Sequence, residues 1–176
     1  MEMELRPSRG GFLRPFGCGW FIREYLLGNG PEGSPRIDPE KGAPQADINY
    51  EYKEALARAT ARERAERIIS KQVVRGVDVT EELAEEIYQK QLRKVSRKFT
   101  HMRYHSFLMY FGVLKRLGWV ETTERTEASS IQEHYSDAPR RVYYRLTTKG
   151  RIVSDQAWAN PLFTLYPEIG PSHIKK

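Results

Sequence analysis

One stretch constrains this chain more than any other. From Phe99 it reads FTHMRYHSFLMYFGVLKRLGWVETT, then continues through a polar loop to RRVYYRLTTKGR, ending at Arg151. Tyr104, Phe107, Leu108, Phe111, Leu114 and Leu117 recur at helical spacing, so they share one face. Thr100 is a good N-cap, and Gly118 suits the left-handed residue at which helices end. Together these features predict a helix over residues 100–117. Its other side carries His101, Met102, His105, Ser106, Met109, Val113 and Arg116. A short strand is expected at Trp119–Thr122. A second follows at Val142–Leu146, where Val142, Tyr144 and Leu146 alternate with Tyr143 and Arg145. Between them, Thr123 to Arg141 is a long polar loop without a core pattern that ends in Pro139-Arg140-Arg141. Long loops held between good strands are often functional.

Helix, strand, loop and strand in this order form the second half of a winged helix-turn-helix. The wording VLKRLGWVE…PRRVYYRLTTKGR resembles the end of the recognition helix, the wing and the following helix start of PadR-like transcriptional regulators, and more loosely of MarR-like ones. The likeness lies within residues 99–151, and Val142–Arg151 is its most specific part. Two departures stand out. The helix opens on Phe99-Thr100-His101 where those families have Ser-Pro-Gly, and the wing is longer. The resemblance implies a mostly α fold with a small β-hairpin wing, carrying additional N-terminal helices. It also implies a function in transcription regulation.

Charge points the same way. Between Arg93 and Arg151 there are thirteen Lys/Arg against five acids, a local balance of +8. The whole chain carries +6, so the remainder sums to −2. A duplex-binding protein needs its cations on the surface that meets phosphate. The plain alternative is that these side chains merely solvate a surface.

The rest of the chain is read as supporting structure. An apolar helix is expected at about 17–28, ending at Gly28. A Gly/Pro-rich linker, GNGPEGSPRIDPEKGAP, then completes an N-terminal region 1–49. The winged-helix domain would span 50–158, with its wing at 119–146. It would open with a long alanine-rich helix over about Tyr50–Arg75, supported by acid-first pairs Glu54–Arg58 and Glu63–Arg67. Gly76 would end that helix. A further helix, about Thr80–Lys94, would carry Glu81 and Glu82 in its first turn. The turn to the recognition helix would fall near Val95–Thr100. A closing helix is expected over Ile152–Trp158, then a C-terminal tail, 159–176, with an apolar run Leu162–Tyr166. The apolar helix and tail either cover the domain's own core or form a homodimer surface.

The expected mechanism is major-groove reading. The groove admits one helix, and 100–117 would enter by its N-terminal half. Thr100, His101, Met102, His105 and Ser106 would line that end, with His101, Met102, His105 and Ser106 meeting base edges. Arg97, Lys98 and Arg103 would contact phosphates. Arg140 and Arg141 would touch the backbone or adjacent minor groove at the wing. The partners expected are double-stranded DNA and a second copy, with room for a small-molecule effector or protein partner.

Other chemistry has less to stand on. His101 and His105 are spaced to share a metal ion, but no Cys or carboxylate accompanies them in sequence, so no metal is expected. The single cysteine, Cys18, cannot form an intramolecular disulfide, and fits a reducing, cytoplasmic, nucleoid-associated location. In an apolar helix it reads as core before it reads as a thiol sensor. Arg14, Arg23 and Glu24 interrupt the only early apolar run, so neither a signal peptide nor a membrane span is expected. Without a glycine-rich phosphate loop, nucleophile motif or distinctive carboxylate pair, neither catalysis nor a cofactor is expected. Tryptophans and tyrosines could line a ligand cavity, although aromatic residues at helical spacing are usually core. The competing class is a winged-helix protein–protein adaptor, which would bury Met102, Met109 and Val113 against a partner.

Overall fold

A computed structural model describes residues 14–96, 100, 104–127 and 140–170, except for the side chains of Tyr104 and His105. The described chain is mostly helical with a small three-stranded antiparallel sheet. Helix α1 is Cys18–Leu26, followed by strand β1 at Ala43–Pro44 and the 30-residue α2 at Gln45–Val74. Then come α3 (Glu81–Lys94), α4 (Tyr104–Arg116), β2 (Val120–Glu127) and β3 (Arg141–Leu146). Three five-residue helices follow, α5 (Thr148–Ile152), α6 (Asp155–Ala159) and α7 (Pro161–Leu165), and then a 3-10 turn at Pro167–Ile169.

Local signals explain most boundaries. Gly28, Gly76 and Gly118 all have positive φ, as helix ends that turn back on themselves require. Thr80 caps α3 through its hydroxyl to the Leu83 amide. Four expectations change. Helix α2 begins five residues early, because Gln45 follows directly from the strand at Ala43–Pro44. That strand lies within the stretch read as a linker and pairs with β3, Ala43 opposite Tyr144. Strand β2 runs on to Glu127, with an irregularity between Thr122 and Thr126, so the first strand of the hairpin is longer than expected. The expected closing helix is two helices, α5 and α6, because Ser154 stops one and caps the next.

One main core draws together α1, α2, α4, the hairpin and α6, with residues from both sides of position 50. Phe21, Ile22 and Leu26 of α1, Ile48, Tyr52 and Leu56 of α2, and Phe107, Phe111 and Leu114 of α4 meet in it. Trp119, Val120, Leu146 and Trp158 complete it. The apolar N-terminal helix therefore covers the domain's own core and is not a free surface. Helix α3 contributes nothing to this core. Its only buried residue is Ile87, and its lower end joins Ala57, Ala61 and Val95 in a separate small cluster. Helix α4 thus packs on the first half of α2, while α3 lies along the second half.

Candidate nucleic-acid interface

Helix α4 is fixed by its aromatic face. Phe107 and Phe111 stack at 5.8 Å, and Phe111 meets Tyr144 of β3 edge-on at 5.0 Å. That contact couples helix and hairpin into one unit. The residues pointing away are exposed: Ser106 is open to solvent, and Met109 is 65% exposed. Leu108, expected on the buried face, is exposed at its edge. Further along, Arg116 donates to the Tyr166 hydroxyl at 3.1 Å, so the C-terminal segment reaches this end of α4.

The sequence candidates divide. Arg97, Lys98, His101, Met102 and Arg103 lie outside the described residues, as does the side chain of His105. Thr100 is described, and it is 1% exposed. Its side chain is interior, which corrects the expectation that it faces DNA. Ser106 and Arg140 are exposed, as the candidate surface requires. Arg141 is half-buried and forms an ion pair with Asp47 in the first turn of α2.

That pair belongs to a pattern that sequence reasoning missed. Most wing arginines are already matched by carboxylates. Arg145 donates to Glu121 at 2.9 Å and to Glu40 at 3.1 Å. Arg151 donates to the other oxygen of Glu40 at 2.7 Å. Arg125 lies over the Tyr143 ring, 4.4 Å from its centroid, and donates to Glu127. The Tyr143 hydroxyl and Arg125 guanidinium hold the Glu127 carboxyl below the usual carboxylate range. Glu40 and Asp47 come from outside the basic segment, so the local excess of +8 overstates the field at the hairpin. Only the pairing of β1 with β3 could have signalled this, and a two-residue strand in a Gly/Pro-rich stretch carries no periodicity.

Among the described residues, several cations around the unit have no acidic partner. Arg140 precedes β3, Lys149 sits on α5, and Arg93 and Lys94 close α3. Lys115 lies over the Tyr144 ring at 5.3 Å.

Ligand chemistry finds little to work with. Trp119 and Trp158 meet at a tilt, with ring centroids 4.7 Å apart, inside the core, where the Trp158 indole donates to the Gly150 carbonyl at 3.0 Å. Those two tryptophans are core. A cavity of about 230 Å³ under the hairpin is lined by Tyr25, Asp38, Lys41, Asp47, Arg125 and Tyr143 among others. Its charges are already matched within the chain, by Asp38–Lys41, Asp47–Arg141 and Arg125–Glu127. Among the described residues, no three His, Cys, Asp or Glu side chains converge as metal ligands. No described helix is long and apolar enough to cross a membrane.

No family model, no curated protein and no solved structure matches this chain.

Proposed function

We propose that the chain is a double-stranded DNA-binding protein acting as a transcriptional regulator. Helix α4 would lie in the major groove and the β2–β3 hairpin would rest on the backbone or adjacent minor groove. The observation that carries this reading is topological. Helix, short strand, three helices and hairpin follow one another, and the short strand joins the hairpin's second strand in the order β1-β3-β2. That order supports a winged helix whose parts would be α1, β1, the first half of α2, α4, β2 and β3, with α3 added between α2 and α4. The outward side of α4 is open at Ser106 and Met109, and Arg140 is exposed just before β3. Phosphate contacts would supply affinity and the helix face would supply sequence preference.

The matched arginines favour a second reading, a winged-helix adaptor that presents Leu108 and Met109 to a protein. Alanine at Arg140 separates the two. If the wing meets DNA, affinity falls for every duplex sequence, and the slope of log affinity against log salt flattens by about one unit per lost phosphate contact. An adaptor would leave both unchanged.

A further inference from the structure

The C-terminal segment 161–170 lies along α4. On α4, Tyr110, Val113 and Arg116 follow at steps of three, so they form one row on the helix surface. Each step turns about 60° around the axis, which carries the row from the buried flank at Tyr110 to the outward side at Arg116. The start of the row meets the chain that leads into the segment. The Tyr110 hydroxyl and the Trp158 carbonyl oxygen both close on Gly19 of α1, 2.6 and 2.1 Å from where a Cβ would stand. The end of the row meets the far part of the segment, where Arg116 donates to the Tyr166 hydroxyl at 3.1 Å. Between these points α7 packs against α4, and Val113 is half-buried.

The segment is lightly held. Pro161 is its only buried residue, and Leu162, Tyr166 and Ile169 are 44%, 36% and 56% exposed. Its backbone hydrogen bonds close on themselves, from Thr164 to Asn160, from Tyr166 to Leu162 and from Ile169 to Tyr166. Asn160, with φ −138° and ψ 65°, separates α6 from α7, while Trp158 just before it is fixed in the core. A piece of chain with few buried contacts and its own backbone bonds can swing away as a unit at small cost.

Its position conflicts with groove binding. A major groove about 12 Å wide admits one helix, which is itself about 10–12 Å across with its side chains. Helix α4 with α7 alongside exceeds that width. We propose that 161–170 is an autoinhibitory strap. Docked, it keeps the second half of α4 out of the groove and holds Arg116 on a neutral phenol. Released, it lets α4 lie along the groove and frees Arg116 for a phosphate, which as an anion is a stronger partner than a phenol. Duplex DNA and the strap thus compete for one face of α4. Apparent affinity is lowered by the fraction of chains in which the strap is docked. The inference rests on the DNA-binding reading of α4.

The test compares the full wild-type chain with Tyr166→Phe and Leu165→Ala/Tyr166→Ala, which leave the charge unchanged. Binding is read by fluorescence anisotropy on labelled random-sequence duplex at low salt. Tyr166→Phe is expected to bind about two- to threefold more tightly, as loss of one hydrogen bond from the docked state implies. The double variant is expected to gain about fivefold or more. Adding Arg116→Ala to the double variant is expected to flatten the salt slope by about one unit, because Arg116 then meets phosphate. Hydrogen exchange gives a second readout: amides of 162–170 should exchange faster in the double variant, and in wild type once duplex is added. A double variant that binds no more tightly than a binding wild type overturns the strap and leaves the DNA-binding reading standing. So does a strap whose amides stay equally protected when wild type binds duplex. A double variant that binds beside a wild type that does not would support the strap most strongly. If neither binds at low salt, the reading of α4 and the strap fall together.

Discussion

Arg145 and Glu40 are 105 positions apart in sequence and lie 3.1 Å apart in the fold. Glu40 also accepts from Arg151, and Asp47 pairs with Arg141. Two acids from the β1 region thus hold three arginines of the basic segment. These pairs are solvent-exposed, so each contributes only about 0–1 kcal/mol to stability. Their larger effect is on the field that an approaching duplex meets.

Replacing both acids in Glu40→Gln/Asp47→Asn should therefore change the unfolding free energy by less than about 1 kcal/mol. The same variant should bind duplex DNA roughly three- to tenfold more tightly at low salt, because two repelling charges are gone and Arg141 and Arg151 are released, while Arg145 keeps Glu121. Fluorescence anisotropy with a labelled duplex measures this. Unchanged affinity would mean that these arginines do not face DNA.

Gly42 is the hinge of the contact between β1 and β3. Its φ is +68°, and a Cβ there would sit 2.0 Å from the Tyr144 carbonyl oxygen. Backbone cannot yield as a flexible side chain can. Gly42→Ala should cost about 3 kcal/mol or more by separating β1 from β3. Gly76 has a similar φ of +81° with open space around it, so Gly76→Ala should cost only about 1–2 kcal/mol, the intrinsic strain of the left-handed region. Urea denaturation of the two variants compares them directly. Equal losses would mean that the β1–β3 contact adds nothing.

Burial pushes the Cys18 thiol up to about 12, against a small opposing effect of Arg14. In the folded chain it should resist Ellman's reagent at pH 8 and react only on unfolding. A fast-reacting native thiol would restore Cys18 as a candidate sensor. Burial also raises the Tyr25 and Tyr52 phenols to about 12. All three groups have folded values above their unfolded ones, near 9 for the thiol and 10 for the phenols. Their contribution is intact below pH 9 and is lost as pH rises from about 9 towards 12, because only the unfolded chain ionises readily. The urea midpoint should thus be lower at pH 10.5 than at pH 8.

The sequence was most legible where periodicity and caps act together. Helix α4, the start of α3 at Thr80, the ends at Gly28, Gly76 and Gly118, and the alternation along β3 all follow from local pattern. Strand β1 was not legible, because Ala43–Pro44 is too short to alternate and sits beside glycine and proline. With β1 unseen, the place of α1 in the core and the pairing of Arg141, Arg145 and Arg151 were hidden too. The interior position of Thr100 was hidden for another reason. A threonine that opens a helix looks the same in sequence whether it faces solvent or the core. The candidate site was legible as a helix with a basic hairpin, and only Ser106, Arg140 and Arg141 of its residues have described side chains at or near the surface.

The central claim is that the α4–hairpin unit meets duplex DNA, and one titration tests it most directly. Purified protein is added to a labelled random-sequence duplex at a series of salt concentrations. The account predicts micromolar binding at low salt that weakens steeply as salt rises, as phosphate contacts require. No binding at low salt would contradict it and leave the adaptor reading in its place.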